Sequence, residues 1–279
     1  MRVLEAINAG SKFLKNKQIS SHILDSEILL SKTLNKSREE ILVNLNFEIK
    51  DKEILVFNEY LNRRSQNEPI AYIVEEKEFW GEKFYVNKDT LIPRPETELL
   101  VDKILKIYNG KKVTILDMGT GSGCIILSLL NNLNKSYGIG VDISKRAILI
   151  AKKNASRLKI LNKVKFFNRP FENIFYKKFD LIVSNPPYVI RKDIKNLSPD
   201  VKKFEPKIAI DGGNDGLDLI KKVIYKSKNI LKIKGVLALE IGNEQYKKVS
   251  KILVNNSFKI KNTIKDYKNN VRCIIASYN

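Results

Sequence analysis

Residues 113–142 constrain the fold more than any other stretch of the chain. Val-Thr-Ile-Leu-Asp at 113–117 reads as a short buried strand. It runs into Met118-Gly119-Thr120-Gly121-Ser122-Gly123, which opens an apolar helical stretch, and 137–142 then reads as a second strand. A strand that passes through a glycine loop into a helix and returns as a strand is the start of a doubly wound sheet. Glycines let the backbone come close to a ligand at the carboxyl end of the first strand. Asp142 ends the second strand 19 residues after Gly123, where a carboxylate can hold a ribose diol. The loop spacing is Gly-x-Gly-x-Gly rather than the Gly-x-Gly-x-x-Gly of dinucleotide sites. Asp117, just before the loop, would repel a pyrophosphate and suits a cationic ligand. The ammonium and sulfonium of S-adenosylmethionine supply that charge, which leaves NAD as the weaker reading.

The alternation continues. Strands are expected at 164–167, 179–184 and 235–241, with helices at 123–133, 144–161, 215–231 and 244–255. Strands at 258–262 and 271–277 follow each other directly and pair as a hairpin. The expectation is an α/β domain over 91–279 with a mostly parallel, seven-stranded sheet. Residues 1–71 differ. Val3, Ile7, Phe13 and Leu14 make one apolar helical stripe, and Ile54, Leu55, Phe57, Tyr60 and Leu61 make another. No Gly occurs between Gly10 and Gly81 and no Pro before Pro69, so an all-helical domain is expected there. Between them, 72–90 reads as two strands about Gly81, a β-hairpin bridge. Pro95 is placed to be the first residue of a helix, with Glu96 and Glu98 in its first turn.

The strand at 179–184 delivers Asn185-Pro186-Pro187-Tyr188 to the carboxyl edge of the sheet, where ligands bind. A planar amide or exocyclic amine nitrogen attacks a methyl group poorly because its lone pair is delocalised. Two acceptors on its two N–H bonds would hold it and favour the positive charge that develops during attack. The Asn185 side-chain oxygen and the Pro186 carbonyl can serve as those acceptors. Pro187 has no N–H to compete and stiffens the loop, and Tyr188 can pack on a flat substrate group. No strong general base is required, since the methylated nitrogen is itself very acidic.

From about residue 91 onward the chain resembles the Rossmann-like class I methyltransferases. Asn-Pro-Pro-Tyr is shared by adenine-N6 and protein glutamine-N5 methyltransferases, and the flanking segments separate the two. Glu68-Pro-Ile-Ala-Tyr72, Glu78-Phe-Trp-Gly81, Leu91-Ile-Pro-Arg-Pro-Glu-Thr-Glu98, Phe204-Glu-Pro206, Asp211-Gly-Gly-Asn-Asp-Gly-Leu217 and Glu240-Ile-Gly242 resemble the peptide chain release factor glutamine-N5 methyltransferases. The resemblance runs along the whole chain. It implies methylation of the Gly-Gly-Gln glutamine of bacterial class-1 release factors, with the helical domain docking the substrate. It implies that Asn185, Pro186, Pro187 and Tyr188 contact the glutamine, with Asn185, Pro186 and Tyr188 catalytic. Leu91, Pro93 and Arg94 would line the substrate pocket, with Arg94 and Glu96 bracing that loop. Asp117, Gly119, Thr120, Gly121, Gly123, Asp142, Asn168 and Asn185 would hold S-adenosylmethionine. The family commonly has Gly where Glu75 stands, and an acidic adenine contact where Asn168-Arg169-Pro170 stands; Arg169 cannot accept a hydrogen bond. The alternatives are a ribosomal-protein glutamine-N5 methyltransferase, or a DNA or RNA adenine-N6 methyltransferase.

Composition bears on those alternatives. The net charge of +20 comes from 41 Lys and only 10 Arg among 279 residues, which fits an AT-rich coding bias better than a base-reading surface. Residues 1–75 hold 11 basic and 11 acidic residues, so the helical domain is not a basic recognition domain and nucleic acid is not the expected partner. Two cysteines and one histidine, His22, make neither a disulfide framework nor a structural zinc site, and no metal is expected. No window of 18 apolar residues and no signal-peptide pattern is found, so a cytoplasmic, reducing setting without a membrane is expected. Cys124 and Trp80 read as packing residues, and His22 as a boundary side chain.

Overall fold

The computed structural model describes residues 1–175 and 179–278. The chain divides into two compact units, Met1–Glu76 with Ser198–Phe204, and Lys77–Leu197 with Glu205–Asn279. In the first, the apolar stripes become α1 (Val3–Asn16), α2 (His22–Leu34), α3 (Arg38–Val43), α4 (Asp51–Ser65) and α5 (Ile70–Val74). Leu14, Leu29, Leu30, Ile41 and Phe57 bury among one another. Ser37 caps α3: its hydroxyl accepts from the Glu40 N–H at 3.1 Å, and the Glu40 carboxylate accepts from the Ser37 N–H at 2.6 Å. Asp25, which is buried, pairs with Arg64 at 2.6 Å and so ties α2 to α4.

One boundary differs from expectation. Tyr72, Ile73 and Val74, where the pattern predicts the start of a strand, lie in α5. β-branched and aromatic residues favour strands only weakly, and here Ala71, Tyr72 and Ile73 are buried in a short helix that Pro69 caps. Glu75 ends it in the left-handed region at φ 59°. The hairpin is correspondingly short, β1 (Glu76–Phe79) and β2 (Glu82–Tyr85), turning on Trp80 and Gly81. Phe79 and Phe84 meet edge to face, and Trp80 packs partly buried beside them.

The second unit continues with α6 (Pro95–Tyr108), β3 (Thr114–Met118), α7 (Cys124–Asn132), β4 (Tyr137–Asp142), α8 (Lys145–Arg157), β5 (Val164–Asn168) and β6 (Phe179–Ser184). After α9 (Pro199–Phe204), which groups with the first unit, come α10 (Asp218–Ile230), β7 (Leu231–Glu240), α11 (Tyr246–Asn255), β8 (Phe258–Lys265) and β9 (Val271–Tyr278). The seven-stranded sheet has the order β5-β4-β3-β6-β7-β9-β8. β3 pairs in parallel with β4 and β6, and β6 with β7, while β9 runs antiparallel to both β7 and β8. The expected seven strands and terminal hairpin are therefore present. One apolar cluster includes Leu100, Ile126, Leu130 and Ala151 on one face, and another includes Ile182, Ile220, Ile224 and Leu253. β8 is an edge strand, and Lys259, Lys261 and Lys265 stand exposed along it.

Candidate active site

The order of the strands reverses between β3 and β6. Chain connections leave that point in opposite directions, which opens a crevice at the carboxyl ends of the two strands. Asp117 of β3 lies opposite Val183 of β6, so Gly119 and Asn185 each stand two residues past the same rung. The Ser184 hydroxyl donates to the Met118 carbonyl at 2.7 Å and fastens the two strand ends together. A cleft of about 490 Å³ opens there. Its walls bring together Leu91, Pro93 and Arg94; Gly119, Thr120, Gly121 and Asp142; and Asn185, Pro186 and Pro187.

At the glycine end, Gly119 and Gly121 have φ of 76° and 54°, and a Cβ on either would meet nothing within 4 Å. The loop is therefore an open cradle. Asp142 shapes it: one carboxylate oxygen accepts from the Gly121 N–H at 2.9 Å and the other from the Ser144 N–H at 2.8 Å. Burial raises Asp142 above the ordinary carboxylate range, against those N–H groups. Asp117 lies beneath the loop at 1 % exposure, where its Oδ2 accepts from the Thr120 hydroxyl at 2.7 Å. Its Oδ1 is buried with no hydrogen-bond partner among the described residues. Burial pushes Asp117 up to about 7, the Thr120 hydroxyl opposing the rise and the charge of Asp142 adding to it. An orphaned buried carboxylate oxygen below an open backbone cradle fits a ligand carrying positive charge. Ile143, Pro170 and Phe171 offer an apolar wall beside it. These residues fit S-adenosylmethionine.

Four expected site residues do not line the cleft: Asp117, Gly123, Asn168 and Tyr188. Asp117 lies buried beneath the glycine loop. Asn168 donates its Nδ2 to the carbonyls of Asp142 and Ile143, at 3.1 and 2.8 Å, and so clasps the loop after β4. Arg169 does line the cleft, with its guanidinium 5.1 Å from the Phe167 ring centroid. Cys124 also reaches the wall, and burial pushes its thiol up to about 12, so it stays neutral. His22, in the first unit, is within 2.9 Å of the Ser11 hydroxyl.

At the other end, the Asn185 carboxamide donates its Nδ2 to the Thr97 hydroxyl oxygen at 3.4 Å. Thr97 sits in the first turn of α6 and donates to Glu240 Oε2 at 2.7 Å. Glu240 ends β7 with no exposed surface. Its Oε1 lies 3.3 Å from the Tyr188 hydroxyl, which accepts from Arg272 at 3.0 Å. Tyr188 thus points away from the cleft, and burial followed by the Glu240 charge raises its phenol above the ordinary range. The segment 211–217 holds the backbone of this turn. Gly212 donates to the Val189 carbonyl at 2.8 Å, and a Cβ on Gly212 would stand 2.8 Å from the Tyr188 backbone, so only glycine fits. Arg94 braces its own loop by pairing with the buried Glu205 at 2.5 Å. Thr97, Glu240 and Arg272 were not singled out from the sequence; the first two occur there only inside longer segments of the resemblance.

Comparison with known proteins gives consistent results. Residues 5–74 match the family described as PrmC N-terminal domain, and residues 109–276 match the one described as methyltransferase domain. The chain is 38% identical to a release factor glutamine methyltransferase of Clostridium acetobutylicum, over 99% of this chain and 98% of that one. It is 41% identical to a protein of the same name from Buchnera aphidicola, over 94% of this chain and 95% of that one. A solved methyltransferase from Pyrococcus furiosus shares the fold at a TM-score of 0.55 and 17% identity, covering 77% of this chain and 98% of its own.

Proposed function

The chain belongs to the release factor glutamine methyltransferase family, and from that membership we propose that it methylates the side-chain nitrogen of the Gly-Gly-Gln glutamine in bacterial class-1 peptide chain release factors. S-adenosylmethionine is its cofactor and supplies the methyl group as a sulfonium substituent. In this reading Asp117 and Asp142, with the open Gly119–Gly121 backbone, hold the cofactor. Asn185 and Pro186 present acceptors to the two N–H bonds of the substrate amide, orienting the nitrogen and stabilising the charge that forms on it. Leu91 and Pro93 exclude water beside the reacting group. Tyr188 supports the turn through its hydroxyl as well as its backbone. The helical unit docks the protein substrate. No helix among the described residues is long and apolar enough to cross a membrane, and a cytoplasmic setting agrees with a substrate used in translation.

The observation that carries this reading is the Asn185 carboxamide at the cleft wall with its nitrogen already engaged by Thr97, which leaves its oxygen to accept. The test is to incubate the protein with methyl-labelled cofactor and, separately, a release factor, ribosomal proteins and DNA. Label on the release factor glutamine is the expected result. Label on a ribosomal protein or on adenine alone would replace this function with the corresponding one.

A further inference from the structure

The carboxamide of Asn185 has two ends of opposite hydrogen-bonding character, and they are nearly identical in shape. If its nitrogen faced the substrate, a donor would meet a donor and the glutamine amide would be repelled rather than held. Something must choose the oxygen. The backbone that follows it does not, because proline nitrogens at 186 and 187 carry no hydrogen to pin it.

The choice is made by Thr97, which itself lines the cleft, and by the buried groups packed behind it. Arg272 has donors and no acceptor, so the Tyr188 oxygen 3.0 Å from it must accept. The Tyr188 hydrogen is then directed at Glu240 Oε1, 3.3 Å away. The other oxygen, Oε2, takes the hydroxyl hydrogen of Thr97 at 2.7 Å. With its hydrogen so committed, Thr97 offers only lone pairs to Asn185, and only the Nδ2 end can satisfy them, at 3.4 Å. Thr97 is 2% exposed and Glu240 fully buried, so water does not compete readily for these bonds. The residues come from the start of α6, the end of β7 and the start of β9, and the resemblance assigned Thr97, Glu240 and Arg272 no role.

We propose that Thr97 is a positioning residue that fixes which end of the Asn185 carboxamide meets the substrate, with Glu240, held by Tyr188 and Arg272, setting the direction of its hydroxyl. The proposal rests on the functional reading above. It concerns turnover and not cofactor affinity, since none of these groups touches the glycine loop.

Thr97→Val keeps the shape and removes the hydroxyl; Thr97→Ser keeps the hydroxyl. Methyl transfer to a release factor is measured for both, with cofactor affinity by calorimetry. For Thr97→Val, kcat should fall about tenfold, the worth of one ordinary hydrogen bond, with cofactor affinity within about twofold. Thr97→Ser should restore most of the rate. In an Asn185→Ala background, Thr97→Val should cost nothing further, because the group it positions is gone. Thr97→Ala carries the same test if the valine variant does not fold. A full rate in the hydroxyl-less variant, an equal loss in the Asn185→Ala background, or a parallel loss of cofactor affinity would each overturn the proposal. Wild-type protein that transfers no methyl to release factor would instead overturn the functional reading, and this role with it.

Discussion

The two ends of the cleft are held by different means. At the cofactor end the supporting bonds are local: Thr120 to Asp117 spans 3 residues, Gly121 to Asp142 spans 21, and Asn168 to Asp142 spans 26. At the substrate end they are distant: Asn185 to Thr97 spans 88 residues, Thr97 to Glu240 spans 143, and Tyr188 to Arg272 spans 84. The first end shapes a backbone cradle that one strand-loop-helix unit nearly makes alone. The second aims a single side chain and needs the assembled sheet. Damage to one end should therefore alter affinity for the cofactor, and damage to the other should alter turnover.

The largest expected effect tests the substrate end. Asn185→Ala should lower turnover by roughly 10²–10³, by analogy with deleting one oxyanion donor, and leave cofactor affinity nearly unchanged in calorimetry. Near-normal turnover would erase the distinction between the ends. Asp142→Ala should do the converse, weakening cofactor binding by about 1.5–3 kcal/mol. Loss of its bonds to the Gly121 and Ser144 N–H groups should add loop mobility, visible as faster hydrogen exchange at those amides. Turnover at saturating cofactor should fall much less.

Asp117 sharpens the comparison through pH. Its carboxyl is pushed up to about 7 in the folded protein, against about 3.9 when unfolded. The contribution of Asp117 to native stability without ligand should accordingly be greatest below about pH 4, fall as the unfolded chain ionises first, and level off above about 7. A cationic ligand favours the ionised form, so cofactor affinity should rise with pH through about 7. Asp117→Asn should flatten both profiles, melt higher than wild type at pH 8 without cofactor, and bind cofactor more weakly. Parallel wild-type and variant melting curves across pH would exclude a buried titrating Asp117. The smallest effect belongs to Tyr188→Phe, which removes one hydroxyl from the support of Glu240. A fall of about two- to tenfold in kcat, with no change in cofactor affinity, is expected in steady-state assays.

The same contrast governs what could be read from the chain. The cradle was legible because Asp117, the glycines and Asp142 follow one another within one supersecondary unit, and the Asn185 turn was legible because a buried strand delivers it. Thr97 and Glu240 carry no spacing signal: each is an ordinary polar residue until the fold joins α6 to β7 and β9. The resemblance places an acidic adenine contact near Asn168, and the structure adds that the Asn168 Nδ2 donates to the carbonyls of Asp142 and Ile143, a contact that no spacing announces. Residues 72–74 were misread because Tyr, Ile and Val favour strands in isolation, while burial within the helical unit decided otherwise. Glu75 takes a left-handed turn without the glycine that would have announced it.

The last strand pair has a consequence of a different kind. A sheet that stops at β8 presents a template onto which another chain could add, and repetition of that step builds fibrils. Lys259, Lys261 and Lys265 line this margin, and Lys165 stands exposed on β5 at the opposite margin. A second copy docking edge to edge would bring ammonium groups face to face, which disfavours pairing. Part of the surplus charge thus keeps copies of the chain apart in a crowded solution and requires no recognised target. Replacing the three β8 lysines with threonine should raise light scattering on storage while methyl transfer stays constant, and an unchanged scattering trace would return those charges to mere composition.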